Sequence, residues 1–516
     1  MAILLDKHVA EHPDRPALVD ESGSTTWSEL KTRVTRLSRA FADRGIGSGD
    51  TIVVMMGNRR EIYEVLLAAA HTGFTVVPVN WHWVADELAY VIDDSGARAL
   101  IVDERFVEIA EAALADERAS TIEFSAVAGP GPLDAYEDLV ASGSDEPLEE
   151  QLLGGPMFYT SGTTGRPKGV RGMLSGGQGI PSEIFALICS SMDAYVPASG
   201  TTLLAGPAYH SAQWAFSFMP LVNGSTVVMR HKYDAAETLR LIDEYEVTNV
   251  HLVPTQFKRM LDLDEEVRSS FDGSSLTAMW HGAAPCPPPW KRAMIDWFGP
   301  VVHEYYGSTE GAFISVIHSP DWLEKGGSVG RPLESMEVFV VDDDGNHLEA
   351  NKTGTLYFKS AMGSDFEYHN DPEKTAEAHL EPGVFTTGDV GHIDDDGYLW
   401  LSDRKIDMII SGGVNIYPAE IEAVLADHHA VSDVAVIGVP NEEFGEEVKA
   451  IVQLSDGGFD SAEVAAALLA ACEEKLAGYK RPRSVDFIDE MPRTGTGKIL
   501  KRELREPYWA DSGRAI

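Results

Sequence analysis

The segment Tyr159-Thr-Ser-Gly-Thr-Thr-Gly-Arg-Pro-Lys-Gly-Val170 limits the folds open to this chain more than any other. Its twelve residues hold three glycines, five hydroxyl side chains, one arginine and one lysine. Gly162, Gly165 and Gly169 let the backbone bend and approach a ligand closely. Pro167 blocks a helix there, so the fold has to present the segment as a loop. Thr160, Ser161, Thr163 and Thr164 offer hydroxyl and amide donors, and Lys168 adds a point charge. That is the equipment that wraps a polyphosphate. Gly169, not Ser or Thr, follows Lys168, which separates the loop from the Walker type.

A chain of 516 residues is too long for one hydrophobic core. The formal net charge is -41, which argues against nucleic acid or an anionic membrane as partner. Such a surface also repels a polyphosphate, so any site for one has to concentrate lysines, arginines, amide dipoles or a cation. Cys189, Cys286 and Cys472 share no metal-ligand spacing and cannot all pair, which suits free thiols in a reducing cytoplasm. No apolar run approaches the length of a membrane span, and the first residues do not read as a signal peptide.

Helix and strand patterns alternate through the first 110 residues. Thr26-Trp-Ser-Glu29 reads as a capping box, followed by Leu30, Val34, Leu37 and Phe41 at helical spacing. Ile52–Met56, Thr75–Val79 and Ala99–Val102 read as buried strands, with a helix from Ile62 to Ala70 that stops near Gly73. Helices between hydrophobic strands imply a largely parallel sheet covered on both faces. Similar units continue from 180 to 300. From about 326 the texture becomes β-rich, with Val338–Val341, Asp342–Gly345 and Thr355–Phe358 reading as strand, turn and strand. Asp394–Gly397 before Tyr398–Leu401 repeats the device. After Ser402-Asp-Arg-Lys405 an α/β segment of about 110 residues reads as a separate lid. The expected class is therefore α/β: a large N-terminal domain over 1–402 with two mixed or parallel sheets and a β-rich subdomain, and a small α+β lid over 407–516. Within the lid, Gly457-Gly-Phe-Asp-Ser461 is similar to a carrier-protein pantetheine site, but Asp460 or Ser461 serves better as the cap of a helix running to Leu476.

The Tyr159–Val170 string resembles the phosphate loop of the adenylate-forming superfamily, which includes acyl-CoA synthetases, aryl-CoA ligases, peptide-synthetase adenylation domains and luciferases. Five further motifs follow in that superfamily's order, so the resemblance spans nearly the whole chain. Trp280-His-Gly-Ala-Ala-Pro285 is similar to the adenine loop, with Gly282, Ala283 and Ala284 passing the base. Tyr305-Tyr-Gly-Ser-Thr-Glu310 is similar to the next motif. The resemblance implies that Tyr305, Tyr306 and Gly307 bind the nucleotide, with Tyr306 stacking on adenine, that Thr309 touches the α-phosphate, and that Glu310 holds Mg²⁺. Thr386-Thr-Gly-Asp389 and Asp403-Arg404 resemble the ribose clamp, with Asp389 accepting the ribose hydroxyls and Arg404 donating to ribose or phosphate. Ser411-Gly-Gly-Val-Asn-Ile-Tyr-Pro418 resembles the loop that lines a pantetheine tunnel, where Gly412 and Gly413 let the thiol arm of CoA pass. Pro492-Arg-Thr-Gly-Thr-Gly-Lys-Ile499 resembles the C-terminal lysine motif, whose lysine, Lys498, neutralises charge during adenylation. The same resemblance implies a hinge at 403–406 about which the lid rotates, where many relatives place Lys or Asp at the position of Ile406.

These residues imply a two-step reaction. Attack of a carboxylate on the ATP α-phosphate gives an acyl-adenylate and pyrophosphate, and a second nucleophile then displaces AMP. Charge gathers on phosphoryl oxygens, which calls for Mg²⁺, Lys498, Thr309 and the Gly/Thr loop. Pro207-Ala-Tyr-His210 resembles the motif whose last residue lines the acyl pocket. Trp214, Phe216, Phe218, Met219 and Trp280 add apolar material, so a hydrophobic or aromatic acid is expected. CoA is the favoured acceptor. A carrier protein, an amine, or nitrite as the activated oxyanion stays open. Either a monomer or a homodimer is compatible with this reading.

Overall fold

The computed structural model describes residues 2–160, 167–172, 174–177, 179–192, 200–342, 344–404, 407–411, 414–441, 444–455, 457–494 and 498–510. Near the N-terminus, five strands order as Thr75–Pro78, Thr51–Met55, Ala99–Asp103, Phe124–Ala128 and Asp134–Ala135. All four pairings are parallel. Thr51–Met55 is buried at every position, as a strand covered on both faces should be. The helix Trp27–Asp43 starts on the expected capping box: Glu29 N donates to Thr26 Oγ1 at 3.2 Å, and Thr26 N donates to Glu29 Oε2 at 2.8 Å. Leu30, Val34, Leu37 and Phe41 are buried along its inner face. Helix Arg60–Thr72 ends on Gly73 at φ 89°, a left-handed cap that glycine adopts without a Cβ clash.

A second sheet carries the site. Its nine strands run Arg331–Pro332, Ala312–Ile317, Val302–Ser308, Ala278–His281, Asn249–Leu252, Thr201–Leu204, Thr226–Met229, Pro16–Asp20 and Gly23–Thr26. The inner pairs are parallel and the edges antiparallel. A parallel sheet places its ligands beyond the carboxyl ends of its strands. Pro207–His210 follows Thr201–Leu204, Gly282–Ala284 follows Ala278–His281, and Thr309 and Glu310 follow Val302–Ser308. Three separate motifs thus converge at one edge because the strands are parallel.

The β-rich region is a six-stranded sheet. Met336–Val341 pairs antiparallel with Gly354–Ser360, Val338 opposite Phe358. Asp389–Ile393 pairs with Leu399–Arg404 across the turn at Gly397, φ 83°. The C-terminal region builds its own five-stranded sheet from Ile409–Ser411, Val414–Ile416, Val431–Asn441, Gly445–Leu454 and Ser484–Phe487. Its core includes Ile416, Leu425, Val436 and Leu468. Pro418 opens the helix Pro418–Ala426. Asp460 Oδ1 caps the helix Ser461–Lys475, accepting from Ala462 N at 2.9 Å, so the carrier-like segment is a helix start. Among the described residues no helix is long and apolar enough to cross a membrane.

Candidate active site

The polyphosphate loop hangs from an antiparallel pair, Phe158–Thr160 with Lys168–Arg171, in which Thr160 lies opposite Lys168. Ser161, Gly162, Thr163, Thr164 and Gly165 lie outside the described residues. Lys168 Nζ donates to Asp371 Oδ2 at 2.5 Å and sits 6.0 Å from the Tyr368 ring. That contact holds the Asp371 carboxyl below the usual carboxylate range. Asp371 also caps the helix Pro372–Glu377, accepting from Lys374 N at 2.9 Å. Tyr368 in turn donates its hydroxyl to Glu310 Oε1 at 3.0 Å. One short chain of contacts therefore joins the phosphate-loop lysine to the acid expected to hold a metal. Glu310 is half-buried, and among the described residues its Oε2 has no protein donor. A hard oxygen left open in this way fits Mg²⁺.

The strand Val302–Ser308 sorts its two tyrosines by alternation. Tyr306 packs with Phe358, Phe385 and Leu399 and donates its hydroxyl to Asp389 Oδ2 at 2.5 Å. Thr387 Oγ1 donates to the same oxygen at 2.7 Å. Asp389 is buried, and its backbone pairs opposite Arg404, while the Arg404 side chain lies outside the described residues. Tyr305 turns the other way, toward Phe216, Phe313 and His251. A Cβ on Gly282 would stand 2.5 Å from the Tyr305 ring and 2.8 Å from its carbonyl oxygen. Only glycine passes there. Ala283 follows at φ 65°, a left-handed conformation that costs a residue with a Cβ about 1 kcal/mol, and Ala284 and Gly307 complete this edge.

The ends of the adenine loop are fixed by charge. Helix Pro288–Phe298 begins just past it, and Lys291 on that helix is fully buried. Its Nζ donates to Glu304 Oε2 at 2.5 Å and lies 4.7 Å from the Trp322 ring. Glu304 is the residue before the tyrosine pair. His281, 3.7 Å from the same carboxylate oxygen, is kept neutral by burial, with the Lys291 charge adding to it.

His210 caps the helix Ser211–Asn223, its Nδ1 accepting from Ala212 N at 3.3 Å. Burial pushes its pKa down to about 4, and the charge of Lys498 adds to the fall. The ring is therefore neutral near pH 7, with Nε2–H as its donor. Thr494 N donates to the Lys498 carbonyl at 2.8 Å and Lys498 N donates to Thr494 Oγ1 at 3.1 Å. Thr309 Oγ1 meets Ser211 Oγ at 2.9 Å. Contacts thus join Thr309 to the helix that His210 caps, Glu310 to Tyr368 beside Lys168, and Tyr306 to Asp389. Gly412 and Gly413 lie outside the described residues, as do hinge positions 405 and 406, although the strands flanking the two glycines pair with Ser411 opposite Val414.

Sequence reading missed Asp371, Tyr368, Ser211, His251 and the Lys291–Glu304 pair. None carries a local motif, because each meets its partner only through tertiary packing. Glu304 and Lys291 gave one signal, charges set within otherwise apolar helix and strand patterns.

Residues 5–364 match the family described as AMP-binding enzyme, and residues 420–498 match the AMP-binding enzyme C-terminal domain. The chain is 35% identical to a feruloyl-CoA synthase of Amycolatopsis sp over 96% of both proteins. It is 33% identical to a 2-succinylbenzoate–CoA ligase of Geobacillus kaustophilus over 96% of this chain and 95% of that protein. Among solved structures, the amide bond synthetase McbA from Marinactinospora thermotolerans superposes with a TM-score of 0.85 at 27% identity, covering 98% of this chain and all of the other. With both halves matched, this chain belongs to the AMP-binding enzyme family.

Proposed function

We propose that the protein activates a hydrophobic or aromatic carboxylic acid with ATP and passes the acyl group to CoA. The observation that carries this is the set of contacts past the carboxyl ends of the parallel strands, Thr309 with Ser211, Glu310 with Tyr368 and Tyr306 with Asp389. The Lys498 charge that adds to the lowering of the His210 pKa supports it. In the first step a carboxylate oxygen bonds to the α-phosphorus and the bond to pyrophosphate breaks. Lys498 and Thr309 are placed to oppose the charge that gathers on the phosphoryl oxygens, and an oxyanion-type donor of this kind is worth about 3 kcal/mol. Glu310 would hold Mg²⁺, which would supply charge neutralisation to the phosphates. Neutral His210 acts as a donor and as a wall of the acid site, not as a base. In the second step the thiol of CoA loses its proton, sulfur bonds to the acyl carbon, and AMP departs with the electrons of the C–O bond.

The lid has to withdraw Lys498 to admit CoA, and residues 403–406 are our proposed pivot, with 1–402 and 407–516 as the moving bodies. Gly412 and Gly413 are the proposed passage for the pantetheine arm. The relatives named as CoA ligases support CoA as acceptor, while the likeness to an amide bond synthetase keeps an amine acceptor as the alternative. The free thiols of Cys189, Cys286 and Cys472 suit a reducing cytoplasm.

The deciding measurement is pyrophosphate release over a panel of acids and nitrite, with and without CoA, with nucleotide products resolved. The expected result is AMP, pyrophosphate and a CoA-dependent rate with an aromatic or bulky aliphatic acid. ADP as the main product, or a rate indifferent to CoA, overturns the proposal.

A further inference from the structure

One chain of hydrogen bonds on the acid side of the cleft is not explained by nucleotide chemistry. Gln213 lies one turn into the helix capped by His210 and is buried. Its Nε2 donates to His251 Nδ1 at 2.8 Å and also reaches the His251 carbonyl oxygen at 3.5 Å. A carbonyl only accepts, so the amide nitrogen faces the histidine and His251 Nδ1 is the acceptor. His251 is buried and held neutral, its pKa pushed down to about 3 by burial and then by neighbouring His210. A neutral ring accepting at Nδ1 carries its proton on Nε2. That proton is donated to the Tyr305 hydroxyl at 3.1 Å. The Tyr305 oxygen is therefore an acceptor in this contact, and its own hydrogen is left to donate. Among the described residues nothing accepts it.

The surroundings say what that hydrogen is for. The Tyr305 ring lies against Gly282, where a Cβ would collide at 2.5 Å. Phe216 and Phe313 flank it at centroid distances of 5.2 and 5.1 Å. Trp280 lies 5.8 Å from Phe216. His251 bonds to Gln213 on the helix that His210 caps. The aligned donor thus lies alongside the helix that the acyl motif opens, within a wall of aromatic rings.

We propose that Tyr305, aligned by Gln213 and His251, is a specificity-determining donor to an oxygen on the ring of an aromatic acid, distal to its carboxylate. A hydroxyl, methoxy or keto oxygen satisfies it. This rests on the acid-activating reading above and narrows it. To the apolar material of Trp214, Phe216, Phe218, Met219 and Trp280 it adds one directed donor. A site built around a hydrogen bond rejects the analogue that lacks the partner more strongly than an apolar slot rejects an extra group.

The test is the ratio of kcat/KM for cinnamate bearing a ring oxygen to that for plain cinnamate, read by pyrophosphate release. The wild type is expected to favour the oxygenated acid by at least about 10-fold. Tyr305→Phe should bring the ratio near one, mainly by loss on the oxygenated acid. Gln213→Leu, which leaves the hydroxyl in place but frees His251 to turn, should lower the ratio to an intermediate value. Calorimetric binding of the paired non-hydrolysable acyl-adenylate analogues gives the same ratio without turnover. A wild-type ratio near one overturns the proposal, and so does an unchanged ratio in either folded variant. Should both variants fail to fold, the wild-type ratio and the paired binding measurement decide alone. Absence of pyrophosphate release with every acid instead sinks the underlying reading of function.

Discussion

The two faces of the strand Val302–Ser308 solve burial in opposite ways. One face carries Glu304 against Lys291 and Tyr306 against Asp389. The other carries Tyr305 against His251, with Gln213 behind it. Charges are kept on the first face and paired at 2.5 Å. On the second no carboxylate enters the chain, and burial strips the histidines of their protons. The difference teaches that one strand can keep buried charges on one face by pairing them and serve its other face with neutral, directional bonds. Neutral donors cost less to desolvate and still discriminate.

Breaking the charged face should have the largest effect. Lys291→Met leaves the Glu304 carboxylate buried without its partner, at a cost of about 3–5 kcal/mol in stability. The urea midpoint should fall sharply, and Lys291→Met with Glu304→Leu should recover most of it. If the double variant is no more stable than the single one, the pair is not the brace described here.

Lys498→Ala comes next. Adenylation should fall by about 3 kcal/mol, on the order of a hundredfold, while thioester formation from a supplied acyl-adenylate changes far less. Equal loss in both half-reactions, measured by single-turnover quench, would contradict the division of labour between lid states.

The two tyrosines sharpen the comparison directly. Tyr306→Phe removes one of the donors to buried Asp389 and should raise KM for ATP by about 10-fold, near 1.4 kcal/mol, typical of a hydrogen bond to a charged group. Tyr305 turns toward His251, Phe216 and Phe313, away from the nucleotide role that the resemblance implies for it, so Tyr305→Phe should leave KM for ATP within about twofold. Similar shifts in both variants would show that the faces are not separate.

The smallest effect per unit is in pH. His210 and His251 have folded pKa values lowered to about 4 and about 3 by burial, below the ordinary value near 6.5. Between those limits the unfolded chain binds more protons than the native one, so stability rises with pH. The contribution is complete above about pH 6.5 and is lost as pH falls toward 4, with a slope of up to about 1.4 kcal/mol per pH unit for each histidine. Denaturation curves at pH 7, 6, 5 and 4 should show this loss, and His251→Asn should flatten part of it. Identical slopes for variant and wild type would mean that His251 is already charged in the native state.

Much of the fold was legible because its signals are local. Thr26 and Glu29 announce a helix start, Gly73 an end, and Ile52–Met56 a strand buried on both faces. The site was legible where glycine and hydroxyl spacing encodes a loop, and the family resemblance extended that to Thr309, Glu310, Asp389 and Lys498. Gln213 and His251 were invisible for a different reason. A glutamine inside an apolar helix and a histidine inside an apolar strand look alike whether they are satisfied core groups or parts of a site, and only the parallel pairing of distant strands brings them together. Lys168 shows the same limit from the other side. Its motif indicated a phosphate ligand, while its partner Asp371, some two hundred residues away, could be found only in three dimensions.

That partner has a consequence for the order of events at the cleft. Asp371 holds Lys168 through a partly exposed ion pair, worth about 0–1 kcal/mol. Under the proposed function a phosphate that takes Lys168 displaces that carboxylate at small cost, so on a molecule with a formal net charge of -41 the loop lysine is kept ordered by an internal acid without being locked away from an anion.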